Sequence, residues 1–267
     1  MSSVQTQQVG NLLRDWRKRR HLSQLDLACD ADISTRHLSF LETGRSLPSR
    51  EMLLHLAAQL EIPLRERNAL LVAAGFAPVF QERPFVDPAL QAGRKVVDLV
   101  LAGHEPYPAL AVDRHWSLIA SNRTVPLLLA DVDASLLKPP VNVLRLTLHP
   151  KGLAPRIANL AEWRSHLLIR LRRQIDLSAD PVLAELLKEL MEYPVSEADK
   201  YDPRTGADYA GVAVPFQLAT SGGILSFLST TTVFGTPVDI TLSELALESF
   251  FPANAATAAA LGQLMPK

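Results

Sequence analysis

Ser34, Thr35, Arg36, His37, Ser39, Phe40, Thr43 and Arg45 fall within twelve residues of one another in the stretch STRHLSFLETGRSLPS, residues 34–49. Hydroxyls and a guanidinium at such spacing form a hydrogen-bonding surface rather than a catalytic one. An arginine can read guanine in bidentate fashion, and Thr or Ser hydroxyls can serve several bases. Leu38 and Leu41, with Ile33 before them, repeat as one face of a helix, and Thr35, Arg36, Ser39 and Thr43 fall on the other. Ser34 takes the N-cap position, Ile33 and Leu38 those of a hydrophobic staple, and Gly44 supplies a left-handed stop.

Catalytic constellations are not evident. No His-Glu-x-x-His occurs, and the one His-Glu pair, His104-Glu105, runs into Pro-Tyr-Pro. Gly-x-Ser-x-Gly, a phosphate-cradling glycine loop and Cys-x-x-Cys are also absent. A self-cleaving repressor would need a Ser–Lys dyad beside a scissile Ala-Gly. Ala102-Gly103 is present, but no such dyad segment accompanies it. His104, His115, His149 and His166 are scattered, with no pair at metal-ligand spacing on one helix. The expectation is no catalytic residue, no metal and no resident cofactor.

The chain has 267 residues, 48% hydrophobic and 21% charged, enough for two domains with real cores. Its net charge is −1. Residues 1–80 hold ten Lys/Arg against eight Asp/Glu, and the densest basic run is Arg17-Lys18-Arg19-Arg20. Cys29 is the only cysteine, which fits a reducing cytoplasm. No cationic start leads into an apolar run, and no apolar stretch approaches the roughly 20 residues of a membrane helix. A cytoplasmic protein without membrane association is expected.

These residues need elements to position them. Residues 1–75 read as a compact all-α domain. It has a helix over 9–20, a second opened by Ser23 with Asp26 three residues on, the helix after Ser34, a fourth capped by Ser49, and a fifth from near Pro63 to Gly75. Residues 76–88, with three prolines, read as a linker. Residues 89–267 read as α+β. Helices are expected over 88–103, 122–130, 155–176 and 181–191. Strands are expected over 107–113, 116–121, 209–219 and 223–234, with Ser221-Gly222-Gly223 as a hairpin turn and residues 238–241 as a further candidate strand. Residues 141–148 are ambiguous between helix and strand.

The second and third helices stand at helix-turn-helix spacing. Ser23, Gln24, Leu27 and Ala28, then the 33–49 stretch, then Leu53, Leu56, Ala57 and Leu60, resemble the DNA-binding domain of XRE/Cro-type repressors in order, spacing and polarity. The resemblance covers about residues 7–75. It implies a five-helix, lambda-repressor-like fold whose recognition helix is 34–43. Gln24, Thr35, Arg36, Ser39, Phe40 and Thr43 then stand where that family touches DNA. Ser34 and His37 belong to the same helix start, and Arg17 and Arg45 are candidate phosphate contacts. Members bind pseudo-palindromic operators in double-stranded DNA as homodimers.

In the second region, HPKGL (149–153), NLAEW (159–163) with His166, and FLSTTTVFGTPVDITLSELALESFFP (227–252) resemble the MmyB-like ligand-binding domain of bacterial regulators. The resemblance covers about residues 105–253. It implies a PAS-like α+β fold with an antiparallel sheet and a pocket for a fatty acid or similar apolar molecule. Trp116, Asn122, Trp163, Leu167, Phe227, Thr231 and Phe234 are placed near that pocket. Arg145, Arg156, Arg164 and His166 are candidates for a ligand head group. The reading is a ligand-responsive transcriptional regulator. Its alternatives are a second domain that serves only dimerisation, or a tethered enzyme acting on a small acyl metabolite.

Overall fold

In the computed structural model, which describes residues 3–194 and 213–264, three serines open helices of the N-terminal region. Ser23 accepts from Asp26 N–H at 3.1 Å while Asp26 accepts from Ser23 N–H at 2.8 Å, a complete capping box. Ser34 accepts from His37 N–H and Ser49 from Met52 N–H, each at 3.1 Å. The helices are α1 (Ser3–Arg19), α2 (Gln24–Asp30), α3 (Thr35–Glu42), α4 (Arg50–Gln59) and α5 (Leu64–Ala73). Each is followed by a residue with positive φ. Gly44 (71°) and Gly75 (82°) do this without a Cβ penalty, whereas His21 (57°), Asp32 (50°) and Glu61 (48°) do it as non-glycines. Leu13, Leu27, Leu38, Leu41, Leu53, Leu56, Leu60, Leu70 and Leu71 form the buried interior of these helices.

The chain divides into two units. One comprises Met1–Arg83 with Asp176–Ser178 and Pro237–Ser243, and the other comprises Pro84–Ile175, Ala179–Thr236 and Glu244–Lys267. The second is built on five strands, β1 (Ala109–Val112), β2 (Leu118–Ser121), β3 (Phe216–Thr220), β4 (Gly223–Val233) and β5 (Ala246–Pro252). All pairings are antiparallel, in the order β2-β1-β5-β4-β3. Alternation sends side chains to both faces. Ala109, Ala111 and Leu247 pack with Val97 and Leu101 of α6 (Gln91–Gly103) on one side. Val112, Leu218, Leu225 and Phe227 join the main core on the other. That core is closed by α8 (Val143–Leu148), α9 (Leu160–Ser178), α10 (Pro181–Glu192) and α12 (Ala255–Leu264), with the short α7 (Thr124–Leu128) at its margin.

Several expectations are corrected. The helix expected from 155 starts at Leu160. Before it, Ala158 N–H bonds Gln217 C=O, and the Asn159 carboxamide bonds Pro215 C=O and Gln217 N–H, so this backbone is tied to β3 rather than coiled. Residues 238–241 form no ladder strand. Asp239 accepts from Thr241 N–H and opens a short helix, α11 (Ile240–Ser243), leaving one isolated bridge between Gln81 and Asp239. The strand expected over 209–219 begins at Phe216, and its positions 209–212 lie outside the described residues. Residues 141–148 resolve into α8, with Asn142 accepting from Leu144 and Arg145 N–H as its cap. Two elements were not foreseen: β5, the middle strand of the sheet, and α12 in the alanine-rich tail.

Candidate functional site

Glu42 organises the helix pair. It is the last residue of α3, yet it is fully buried. Arg17 donates Nε and Nη2 to its two carboxylate oxygens at 2.6 and 2.8 Å, and Gln24 donates Nε2 to Oε2 at 2.8 Å. Arg17 also donates to Leu22 C=O at 2.7 Å. A buried carboxylate is tolerated when its lone pairs are met this fully. The Glu42 hydrogen bonds push the Arg17 pKa above its ordinary value, so the guanidinium stays charged. One three-residue network thus joins α1, α2 and α3.

This network engages two residues expected at DNA. Arg17, expected at phosphate, is buried on Glu42. Gln24, expected to offer its amide to DNA, gives its amide nitrogen to the same carboxylate. Glu42 was missed, although a glutamate directly after inward-facing Leu41 was the available signal.

The opposite face of α3 keeps its polar groups outward. Thr35, Arg36, Thr43 and Arg45 are exposed, and His37, Ser39 and Phe40 are half-buried. Ser34 caps the helix and is exposed as well. Phe40 is the organising side chain here. The Arg36 guanidinium lies 5.4 Å from its ring centroid and that of Arg45 lies 5.7 Å away. Arg45 is brought back to the helix end because its N–H bonds Phe40 C=O at 2.9 Å. The Thr43 hydroxyl donates to Ser39 C=O at 2.7 Å, which leaves its oxygen as an acceptor. The result is a polar ridge bearing two cations beside one ring.

The second unit holds a cavity of about 80 Å³ on the α8–α9 side of the sheet. A single water needs roughly 10–15 Å³, so the space suits more than a trapped solvent molecule. Pro108 and Leu110 line it from the start of β1 and the residue before it, Val125, Leu128 and Leu129 from α7 and its end, and Val143, Leu146 and Thr147 from α8. Leu153 and Trp163 add the α9 side, and Phe216, Leu218, Phe227 and Phe250 the floor of the sheet. The aromatic residues form one continuous wall. Trp163 and Phe216 have centroids 5.2 Å apart, Phe216 and Phe227 6.1 Å, and Phe227 and Phe250 6.3 Å.

Of the residues expected here, Trp163 and Phe227 line the cavity and the others do not. Trp116 is buried elsewhere, its Nε1–H donating to Gln174 at 2.8 Å and its ring under the Arg170 guanidinium at 4.6 Å. The buried Asn122 carboxamide staples Leu101 and Tyr107 C=O and Ala109 N–H. Leu167 packs in the main core and Phe234 against the α6 cluster. Thr231 joins Arg170 in hydrogen bonding Glu248.

The head-group candidates are also engaged elsewhere. Arg156 donates to Leu128 and Ala219 C=O, Arg145 pairs with Glu189, and Arg164 donates to Leu190 and Met191 C=O. His166 stacks on Trp163 at 5.3 Å, and burial, followed by the nearby Arg170 charge, pushes its pKa down. Most of the lining was missed: α8 was ambiguous, Phe250 lies on the unforeseen β5, and the other lining residues sit on expected elements whose convergence on one space no local pattern marks. Among the described residues, no group of three or more His, Cys, Asp or Glu is placed to hold a metal ion. None of their helices is long and apolar enough to cross a membrane.

Comparison with known proteins agrees with both halves. Residues 13–67 match the family model described as Helix-turn-helix. Residues 94–264, more than half of the chain, match the one described as MmyB-like transcription regulator ligand binding domain. No curated protein matches the chain. With a capped helix pair presenting a polar ridge and an apolar cavity under a five-stranded sheet, the chain belongs to the MmyB-like transcription regulators, carrying a helix-turn-helix DNA-binding region and a ligand-binding domain.

Proposed function

We propose that this regulator binds a pseudo-palindromic operator as a homodimer and that an apolar small molecule in the second unit's cavity changes its operator affinity. The observation that carries the reading is the cavity itself: an apolar, aromatic-walled space in a chain whose other unit matches a helix-turn-helix. In this reading α3 enters the major groove. Arg36 reads a guanine edge, Thr35 and Ser39 make adaptable base contacts, and Arg45 meets phosphate. Ser34, His37 and Thr43 flank these contacts, and the Phe40 ring lies beside the two guanidiniums.

Residues 1–80 carry a small net positive charge, ten Lys/Arg against eight Asp/Glu, so one copy supplies limited phosphate attraction. Two copies on half-sites about 34 Å apart make the sensible binding unit. A ligand alters DNA affinity only if it binds the DNA-competent and incompetent states unequally.

Native mass spectrometry of the purified chain provides the test. A dimer carrying an apolar adduct that organic extraction removes is the expected result. A dimer that never carries one, and that no lipid extract reloads, would favour a purely architectural second domain.

A further inference from the structure

Phe40 is half-buried on the polar ridge of α3, one helical turn after Arg36. Residues four apart on a helix are neighbours, which brings the Arg36 side chain to its ring. The Phe40 carbonyl accepts from Arg45 N–H at 2.9 Å and from Ser46 N–H at 3.2 Å, so the chain leaving α3 folds back and brings Arg45 to the same ring. The two guanidiniums lie 5.4 and 5.7 Å from the ring centroid, within reach of a cation–π attraction. The arginines of α1 are used differently. Arg14 donates to Asn11, Arg17 to Glu42 and Arg20 to Leu60 C=O. Among the described residues, neither Arg36 nor Arg45 has a side-chain hydrogen-bond or ion-pair partner.

The kind of contact decides what each arginine can still do. A guanidinium has five N–H donors, and a carboxylate partner takes two of them when it binds as a fork. An aromatic ring attracts the cation and takes none. Arg36 is thus restrained while its donor edge stays free. A long side chain loses rotamer freedom when it docks, and a restraint already present in the free protein lowers that loss. We infer that Phe40 is a specificity-determining positioning residue, whose ring holds Arg36 ready to read a guanine edge and keeps Arg45 at the end of the helix, without touching a base itself. This rests on the proposal that α3 reads base edges, and it gives Phe40 a role apart from direct contact. A thymine-methyl reader must present its apolar surface to the groove, and here two cations share that surface.

The test is a competition binding series on an operator duplex selected from random sequence, against all its single-base variants. It uses the full chain as wild type, Arg36→Ala, Phe40→Leu, Phe40→Tyr and the Arg36→Ala, Phe40→Leu double variant. Arg36→Ala marks the base pair that Arg36 reads. At that pair Phe40→Leu, which keeps apolar bulk and removes the π face, should lose roughly two- to fivefold of the discrimination, the yield of an exposed cation–π contact. Phe40→Tyr, which keeps the ring, should retain it, and in the double variant Phe40→Leu should add no further loss at that pair. A structural role alone would weaken binding to every duplex equally and leave the ratios between bases unchanged, and that result would overturn the inference. So would a Phe40→Leu loss at a separate A·T pair that thymine-to-uracil replacement reproduces in the wild type, because the ring would then be a direct methyl reader. If Phe40→Leu does not fold, the ring current gives a second readout in the free wild-type chain. Side-chain protons of Arg36 and Arg45 should resonate upfield of those of exposed Arg50, and unshifted resonances would overturn the inference. A wild-type chain that selects no sequence, or an Arg36→Ala variant weakened equally on all sequences, would remove it together with the base-reading proposal beneath it.

Discussion

At the scale of single residues, the polar ridge of α3 and its support separate cleanly. Arg36 is exposed and rests on Phe40, so its loss should leave the fold intact. Arg36→Ala is expected to weaken operator binding by about 1–3 kcal/mol and relax preference at one base pair, as read by a competition binding series over single-base operator variants. Equal weakening on every sequence would demote it to a phosphate contact. Glu42 behaves oppositely. Glu42→Ala strands the buried Arg17 guanidinium and the Gln24 amide, and should cost about 3–5 kcal/mol of stability in urea denaturation. A loss below about 1 kcal/mol would mean that the network relaxes onto water. His166 supplies a pH signature. Its folded-state pKa lies below the unfolded value near 6.5, so the unfolded chain binds the proton first. Its favourable contribution is complete above about pH 6.5 and declines as pH falls through that value toward the lower folded pKa. Thermal melts should show a loss of stability on acidification from pH 7 to 5.5 that shrinks in His166→Gln.

At the scale of elements, two glycines show how packing overrides helix propensity. Alanine is favoured over glycine within helices by about 1 kcal/mol. Gly10 in α1 faces the end of α3 so closely that a Cβ would stand 2.5 Å from Leu41 O and 2.7 Å from Glu42 O, both rigid backbone atoms. Gly103, the last residue of α6, has open space at the same position. Gly10→Ala should therefore destabilise by pushing α1 off α3, while Gly103→Ala should stabilise by about 0.4–1 kcal/mol, both read from melting curves. The same contrast explains what could be read from the chain alone. The three N-terminal serine caps were legible because each is a local event, one side chain bonding a backbone N–H three residues on. β5 was not. Its sequence ALESFFP places Glu248 in the middle of a central strand, and it takes the Arg170 guanidinium from α9 and the Thr231 hydroxyl to make that burial tolerable. The left-handed turns at His21, Asp32 and Glu61 were equally hidden, since no glycine marks them.

At the scale of the molecule, both halves were legible as patterns, and the shared face of α3 more fully than the wall of the cavity. The polar face of α3 could be read residue by residue because helical spacing fixes which side chains share a face. The cavity could not, because it is assembled from β1, α7, α8, α9, β3, β4 and β5, and just two of the expected residues, Trp163 and Phe227, reach it. The dimeric reading makes a geometric prediction. Inserting about five base pairs between half-sites puts them on opposite sides of the duplex and should reduce affinity to that of a single half-site. Undiminished binding would mean that the copies act independently. The central claim is that cavity occupancy controls DNA binding, and one measurement addresses it directly: the operator Kd of extracted, ligand-free protein, by fluorescence anisotropy on a duplex selected from random sequence, before and after reloading with cell lipid extract. A change of at least about fivefold is expected, the lower end of ordinary allosteric coupling. An identical Kd in both states, with the adduct verified as bound, would contradict it.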